Sequence, residues 1–204
     1  MEQTSKNMEK KDATISLAIG LLIGIFFFII LKNVGIEIPY SWALIIVFPP
    51  LALLGMFVVS LLGRKFLTIL QVGRFLLVGA LNTFIDLGVL NILIWLSGIT
   101  AGLWFSVFKA LSFLVATTNS YFWNKHWTFE KGRNGFAAKE FSKFLGVTAV
   151  GLSINVGIAS IVVNIIGVQF GLSEEMWATI GAVTAAFFAW VWNFLSSKFI
   201  VFKS

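Results

Sequence analysis

The 204-residue sequence contains no cysteine, one histidine and three prolines, and only 12% of its residues are charged. Without cysteine the chain forms neither a disulfide framework nor a thiolate site. His126 has no second metal-ligating residue close to it in sequence, which argues against a metal or catalytic role. Scarce charge and a hydrophobic share of 58% exclude a soluble domain, because a chain of this size could not bury so much apolar surface.

Long apolar runs fill most of the chain. A helix needs ~20 predominantly apolar residues to cross a bilayer. Six stretches satisfy this requirement, near residues 14–32, 41–62, 71–97, 102–124, 141–167 and 176–201. They predict an all-α integral membrane protein with six transmembrane helices. The first run is not expected to be a cleaved signal, since it is long, no small-residue cleavage site follows, and another span comes directly after it.

Lysine and arginine are unevenly distributed between the two sides of these spans. The two termini and the loops that follow the second and fourth spans contain nearly all of them. The loops that follow the first, third and fifth spans contain only Lys32. Because cytoplasmic loops are enriched in Lys and Arg, both termini are predicted to be cytoplasmic. The net charge of +6 therefore reflects membrane orientation and is not a nucleic-acid-binding surface.

The chain contains an internal repeat of one helical segment. Residues 74–89 align with residues 143–158 without a gap. The identical pairs are Phe75/Phe144, Leu76/Leu145, Val78/Val147, Ala80/Ala149, Ile85/Ile154 and Gly88/Gly157. A weaker repeat relates residues 124–129 to residues 197–202. Duplicated helix pairs predict a four-helix core of two parallel two-helix repeats, with a site between the copies.

The repeat divides the chain into three segments. Residues 1–13 form a basic cytoplasmic tail, residues 14–69 a two-helix transmembrane extension, and residues 70–204 the four-helix domain. In the extension, Gly20 and Gly24 form a Gly-x-x-x-Gly face that permits close approach of two helices. The adjacent Pro49 and Pro50 are predicted to kink or break the second span.

Two ionisable residues lie where water is scarce. Asp86 is ~18 Å along the helix from Arg74, near the membrane midplane. Lys109 is ~9 Å below the outer end of the next span. Charge at such depth costs at least ~2.5–3.5 kcal/mol unless it is paired, so the two are predicted to form an ion pair. The pair is either structural or part of a polar path through the membrane. The second repeat has Asn155 and Ala182 in place of the charges, which favours the polar path.

Other polar residues also lie within the predicted spans or at their cytoplasmic ends. Buried amides need partners in hydrocarbon, and Asn119 and Asn155 are the best candidates for a site because both are predicted to lie in the interior of the repeated core. At the cytoplasmic ends, Arg74 and Lys143 are repeat counterparts, and so are Lys125 and Lys198. These four cations either mark the cytoplasmic side or form a phosphate-binding cradle.

Two segments resemble a known family. Residues 73–79, followed by Asn82 and Asp86, resemble the opening of GtrA-like membrane proteins, and residues 119–129 resemble the Asn-rich, basic, Trp-Thr-Phe end of their second helix. The resemblance covers about residues 70–204. It implies transfer of polyprenyl-phosphate-linked sugars across the bacterial inner membrane for cell-surface polysaccharide glycosylation, beside a polyprenyl-phosphate glycosyltransferase. The two N-terminal spans are additional to the family pattern.

The sequence therefore predicts a non-enzymatic flippase of a polyprenyl-phosphate-linked monosaccharide. The phosphate would bind Arg74, Lys125, Lys143 or Lys198. The sugar would pass Asp86, Lys109, Asn119 and Asn155. No cofactor, metal or nucleic acid is expected. The expected partners are membrane lipids, a glycosyltransferase and further copies of the chain. Two alternatives remain: a non-transporting subunit that anchors or assembles the glycosyltransferase, and a small proton- or cation-coupled transporter using Asp86.

Overall fold

All regular secondary structure is helical in the parts that the computed structural model describes. These parts are residues 8–63, 66–128 and 138–196, without the side chains of 67, 138–145, 148, 190 and 193–196. They contain six α-helices: α1 Lys10–Asn33, α2 Leu44–Leu62, α3 Leu67–Ser97, α4 Gly102–Trp123, α5 Ala138–Ser160 and α6 Glu174–Ser196. The predicted helical class is confirmed.

Several of these helices suit a bilayer. Among the described residues, four stretches are long and apolar enough to cross it: Lys10–Asn33, Ser41–Leu62, Thr68–Ser97 and Ala149–Ile166. The chain is thus a membrane protein with several apolar helices. The remaining helices, α4 and α6, have 22 and 23 residues. Their length suffices for a span, but α4 contains Lys109 together with several serine, threonine and asparagine residues that lower its apolarity.

The N-terminal extension is built on close contact between α1 and α2. A Cβ atom added to Gly20 would lie 2.5 Å from the Phe48 carbonyl oxygen, and one added to Gly24 would lie 2.6 Å from the Leu44 carbonyl oxygen. This arrangement confirms the close helix approach predicted from the two glycines. Pro49 and Pro50 were predicted to kink or break the second span; the break is wrong, because α2 runs through both residues, and the kink stays a prediction. Packing against a neighbouring helix allows a membrane helix to tolerate proline.

The extension shares its core with the four-helix domain. One apolar cluster joins α1 and α2 to α3 and to the end of α4; its members include Ile19, Ile23, Met56, Val78, Leu81, Ala116 and Trp127. A second cluster lies among α3, α4, α5 and α6 and includes Ile30 of α1; its other members include Leu90, Ile94, Phe105, Ala159, Ala178, Ala182 and Ala185. α3 contributes to both clusters and packs against α1, α2, α4 and α6, so it is the central helix of the described fold.

A π-helical turn at Asn124–Thr128 prolongs α4. This wider turn changes the direction in which side chains leave the helix. Trp127 is consequently 1% exposed and packs in the cluster shared by α1 and α3. The end of α4 is thereby held against the extension, at the side predicted to be cytoplasmic.

Candidate functional site

The predicted ion pair between Asp86 on α3 and Lys109 on α4 is present. Lys109 Nζ donates to Asp86 Oδ2 at 2.5 Å, and Ser112 Oγ donates to Asp86 Oδ1 at 2.6 Å. Lys109 and Ser112 are fully buried and Asp86 is nearly so. Each carboxylate oxygen thus has a donor, which is the condition under which a buried charge pair is tolerated. Sequence analysis missed Ser112, although it is three residues after Lys109 and so on the same helix face.

Asn155 has a different environment at the aligned position of α5. The side chain is 1% exposed, and its Oδ1 atom has no hydrogen-bond partner among the described residues. The repeat alignment explains this, because Lys109 and Ser112 correspond to Ala182 and Ala185, which are both fully buried. A buried acceptor without a donor costs ~1–3 kcal/mol. Asn155 is therefore an acceptor to which a ligand hydroxyl could donate.

Asn119 belongs to a chain of polar contacts between α3 and α4. Its Nδ2 atom donates to Asn82 Oδ1 at 2.7 Å, and its Oδ1 atom accepts from Trp123 Nε1 at 3.1 Å. Both ends of this amide are therefore engaged within the protein. The structure brings Asn119 to the α3–α4 contact, where it serves helix packing.

Two further polar contacts link the halves of the core. Thr179 Oγ1 donates to Asn91 Oδ1 at 3.2 Å, and Asn91 Oδ1 also accepts from Asn33 Nδ2 at 2.7 Å. The hydroxyls of Ser106 and Ser160 are 2.6 Å apart. Asn91 thereby connects α1, α3 and α6, whereas the serine pair connects α4 and α5.

At the other end of α1, Asp12 and Arg74 form a second buried ion pair. Arg74 NH2 lies 2.8 Å from Asp12 Oδ1 and 3.0 Å from Oδ2, and the two side chains are each 2% exposed. Trp127 Nε1 donates to Asp12 Oδ1 at 2.8 Å, while Arg74 NH1 donates to the Trp127 carbonyl at 3.0 Å. We refer to these three residues as the Asp12 cluster. It joins the extension, α3 and the end of α4.

Of the four predicted phosphate-binding cations, one is part of the Asp12 cluster and another is close to it in the chain. Arg74 is enclosed and already binds a carboxylate. Lys125 lies two residues before Trp127, with its Nζ atom 5.6 Å from the centre of the Tyr121 ring. Both cations are thus at the same end of the bundle. The side chain of Lys143 and the whole of Lys198 lie outside the described residues.

Sequence analysis missed Asp12, which it treated as part of a basic tail. The tail is helical from Lys10 onward, and Asp12 shares a helix face with the buried Ser16 and Ile19. An acidic residue in register with a buried helix face was the available signal. Within the described ranges, no group of three or more His, Asp or Glu side chains is placed to hold a metal ion.

These features define an all-helical membrane protein with charge pairs enclosed between its helices. Residues 74–202 match the family model described as GtrA/DPMS, transmembrane domain. The match spans more than half of the chain, so the protein belongs to this family, as the resemblance predicted. It begins at Arg74, and the extension therefore precedes the matched region. No curated protein and no solved structure matches the chain.

Proposed function

We propose that the protein moves a polyprenyl-phosphate-linked monosaccharide across the bacterial cytoplasmic membrane, for use in cell-surface polysaccharide. Membership of the GtrA/DPMS transmembrane family supports a role in handling such lipids. The observation that carries the proposal is Asn155, a buried amide whose Oδ1 atom has no donor in the described structure. A sugar in hydrocarbon needs its hydroxyls satisfied, and an unpaired acceptor inside the core supplies that function.

In this proposal α4 and α6 also cross the membrane, which gives six spans with both termini in the cytoplasm. The four-helix domain consists of two parallel repeats, 71–124 and 141–202. The contacts Asn91–Thr179 and Ser160–Ser106 support this arrangement, since the repeat alignment relates one contact to the other.

The lipid tail stays in the bilayer while the phosphate binds at a cytoplasmic cation: Arg74, Lys125, Lys143 or Lys198. Charge-assisted hydrogen bonds from Arg and Lys hold phosphate oxygens well. The sugar then passes the polar residues in the core. Asn155 has the main role there because Asp86, Lys109 and Asn119 already have protein partners.

The protein acts without breaking or forming covalent bonds and needs no cofactor. A polyprenyl-phosphate glycosyltransferase makes its substrate on the cytoplasmic side, and consumption of the sugar on the outer side draws the lipid across. Association with that enzyme, and of the chain with itself, belongs to the same proposal.

The test follows the sidedness of the lipid-linked sugar in cells that lack the protein. We expect the sugar lipid to accumulate in the cytoplasmic leaflet, where a membrane-impermeant periodate treatment of everted vesicles oxidises it and treatment of intact spheroplasts does not. Restoring the wild-type chain should return the lipid to the outer leaflet, whereas Asn155→Leu should not. An unchanged distribution would refute translocation.

One observation favours a second candidate, a non-transporting subunit of the glycosyltransferase. The network of Asp86, Lys109 and Ser112 is satisfied within the protein, as expected of an architectural element. In that case loss of the protein should lower the total amount of sugar lipid and leave its sidedness unchanged, so the same vesicle assay separates the two functions.

A further inference from the structure

Two buried hydroxyls that are adjacent in the chain or on the helix to members of the Asp12 cluster have no hydrogen-bond partner among the described residues. The carboxylate accepts from Arg74 and from the indole N–H of Trp127. Ser16 is one helical turn farther along α1 than Asp12, on the same buried face, and Thr128 directly follows Trp127. The hydroxyl oxygens of Ser16 and Thr128 are fully buried and have no partner among the described residues.

This set of donors suits an anion larger than a carboxylate. A carboxylate has two oxygens in a plane, whereas a phosphate ester has four oxygens in a tetrahedral arrangement, and two or three of them share its negative charge. A guanidinium, an indole N–H and two hydroxyls can surround such a group from several directions. The guanidinium carbon of Arg74 also lies 5.8 Å from the centre of the Trp127 ring, which fixes its orientation.

In the predicted orientation, the cluster lies near the cytoplasmic surface of the membrane. Asp12 is in the first turn of α1, and Trp127 follows the end of α4. Both positions belong to the end of the bundle predicted to be cytoplasmic, where the phosphate of a lipid in the inner leaflet would lie. Lys11, next to Asp12, donates to the His126 carbonyl at 3.4 Å, so the two segments are held together by a weak exposed contact as well.

We infer that Arg74, Trp127, Ser16 and Thr128 form the binding site for the phosphate of a polyprenyl phosphate, and that Asp12 occupies this site until the lipid arrives. The phosphate replaces the carboxylate, and the start of α1 moves away from the end of α4. The N-terminal extension thus gates the family domain. This inference rests on the proposed function, because the ligand is the phosphate part of the proposed substrate.

The first experiment measures binding of polyprenyl phosphate to the full chain in nanodiscs. Asp12→Asn removes the competing charge, and it should bind polyprenyl phosphate about tenfold more tightly if the wild-type site is closed about nine-tenths of the time. Asp12→Glu retains the competitor and should bind like wild type. Glu37→Gln is the matched control, because it removes an exposed carboxylate beyond the opposite end of α1.

The second experiment does not require a change at Asp12. The chain has no cysteine, so Lys11→Cys and His126→Cys can be joined by a short, reducible bifunctional thiol reagent. The joined protein should lose polyprenyl phosphate binding, and reduction should restore it. The Lys11→Cys variant modified with the same reagent is the control and should bind normally.

The outcomes separate this inference from the proposed function. If wild type binds polyprenyl phosphate better than polyprenol, but Asp12→Asn binds no more tightly and joining has no effect, the gate is wrong and the proposed function stands. If no variant distinguishes polyprenyl phosphate from polyprenol, both are wrong. If inorganic phosphate alone displaces the lipid at matched concentration, the site belongs to a soluble anion and the lipid assignment is overturned.

Discussion

The hydroxyls of Ser106 and Ser160 lie 2.6 Å apart and join α4 to α5. Thr179 and Asn91 join α6 to α3 at 3.2 Å. In the alignment of the two halves, Asn91 corresponds to Ser160 and Ser106 to Thr179. Exchanging the halves therefore exchanges the two contacts.

This relationship leads to a prediction about symmetry. The helix pair 71–124 should superpose on 141–202 by a rotation about an axis near the membrane normal, because two spans per repeat leave the copies parallel. An experimental structure in a lipid environment would measure the axis. An axis in the membrane plane, or no relation between the pairs, would contradict the prediction.

Topology can be tested directly on this cysteine-free chain. A single cysteine replacing Lys131 or Arg133 should react only with membrane-permeant thiol reagents, because the Lys/Arg distribution places this loop in the cytoplasm. A cysteine replacing Glu37 should react with impermeant reagents from outside. External labelling at 131 or 133 in intact cells would show that the orientation is inverted.

The Asp86–Lys109 pair can be separated from sugar handling by a double-mutant cycle. Asp86→Asn leaves Lys109 buried without a counter-charge, so it should lower the free energy of unfolding by ~3–5 kcal/mol. Adding Lys109→Met should recover most of that loss, because no buried charge then remains. Thermal unfolding in detergent measures both effects.

A translocation assay of the double variant then tests the role of the Asp86–Lys109 pair. If it is architectural, the stable double variant should retain sugar translocation. A double variant that folds normally but leaves the lipid-linked sugar in the cytoplasmic leaflet would assign these charges to the sugar path.

Asn155 and Asn91 make a matched comparison, since both are buried amides on the inner faces of corresponding helices. Asn155→Leu should be neutral or stabilising, because it removes an unpaired acceptor whose burial costs ~1–3 kcal/mol. Asn91→Leu should be destabilising, because it leaves the Nδ2 atom of Asn33 and the hydroxyl of Thr179 without their acceptor. Thermal unfolding would rank the variants, and strong destabilisation by Asn155→Leu would point to a structural role.

The contact between α1 and α2 predicts a difference between two glycines. Gly20→Ala should destabilise the protein by ~1–3 kcal/mol, because the added carbon meets the α2 backbone at Phe48 and overpacks the contact. Gly55→Ala, with open space around it, should be neutral or stabilising by up to ~1 kcal/mol. Equal thermal stabilities would contradict the close approach.

The helices could be predicted from the sequence, whereas contacts between helices that are far apart in the chain could not. Apolar runs predicted the helices, and the cost of charge in hydrocarbon predicted the pair of Asp86 with Lys109, which lie on consecutive helices. The Asp12–Arg74 pair was missed, because no rule of local spacing relates residues on α1 and α3. The unpaired state of Asn155 was also missed. It depends on which side chains α6 presents, and the sequence shows only that Ala182 and Ala185 replace Lys109 and Ser112.

The positions of the two ion pairs along the chain have a consequence for biosynthesis. Lys109 follows Asp86 by 23 residues, whereas Arg74 follows Asp12 by 62 residues. Asp86 therefore receives its partner from the very next helix, and in the proposed six-span topology these two charges can pair before α3 and α4 leave the translocon. The partner of Asp12 is made only after α2 and the start of α3, but Asp12 lies in the first turn of α1, at the end predicted to be cytoplasmic. Asp86, the aspartate predicted to lie deeper in the membrane, is thus the one whose partner is synthesised sooner.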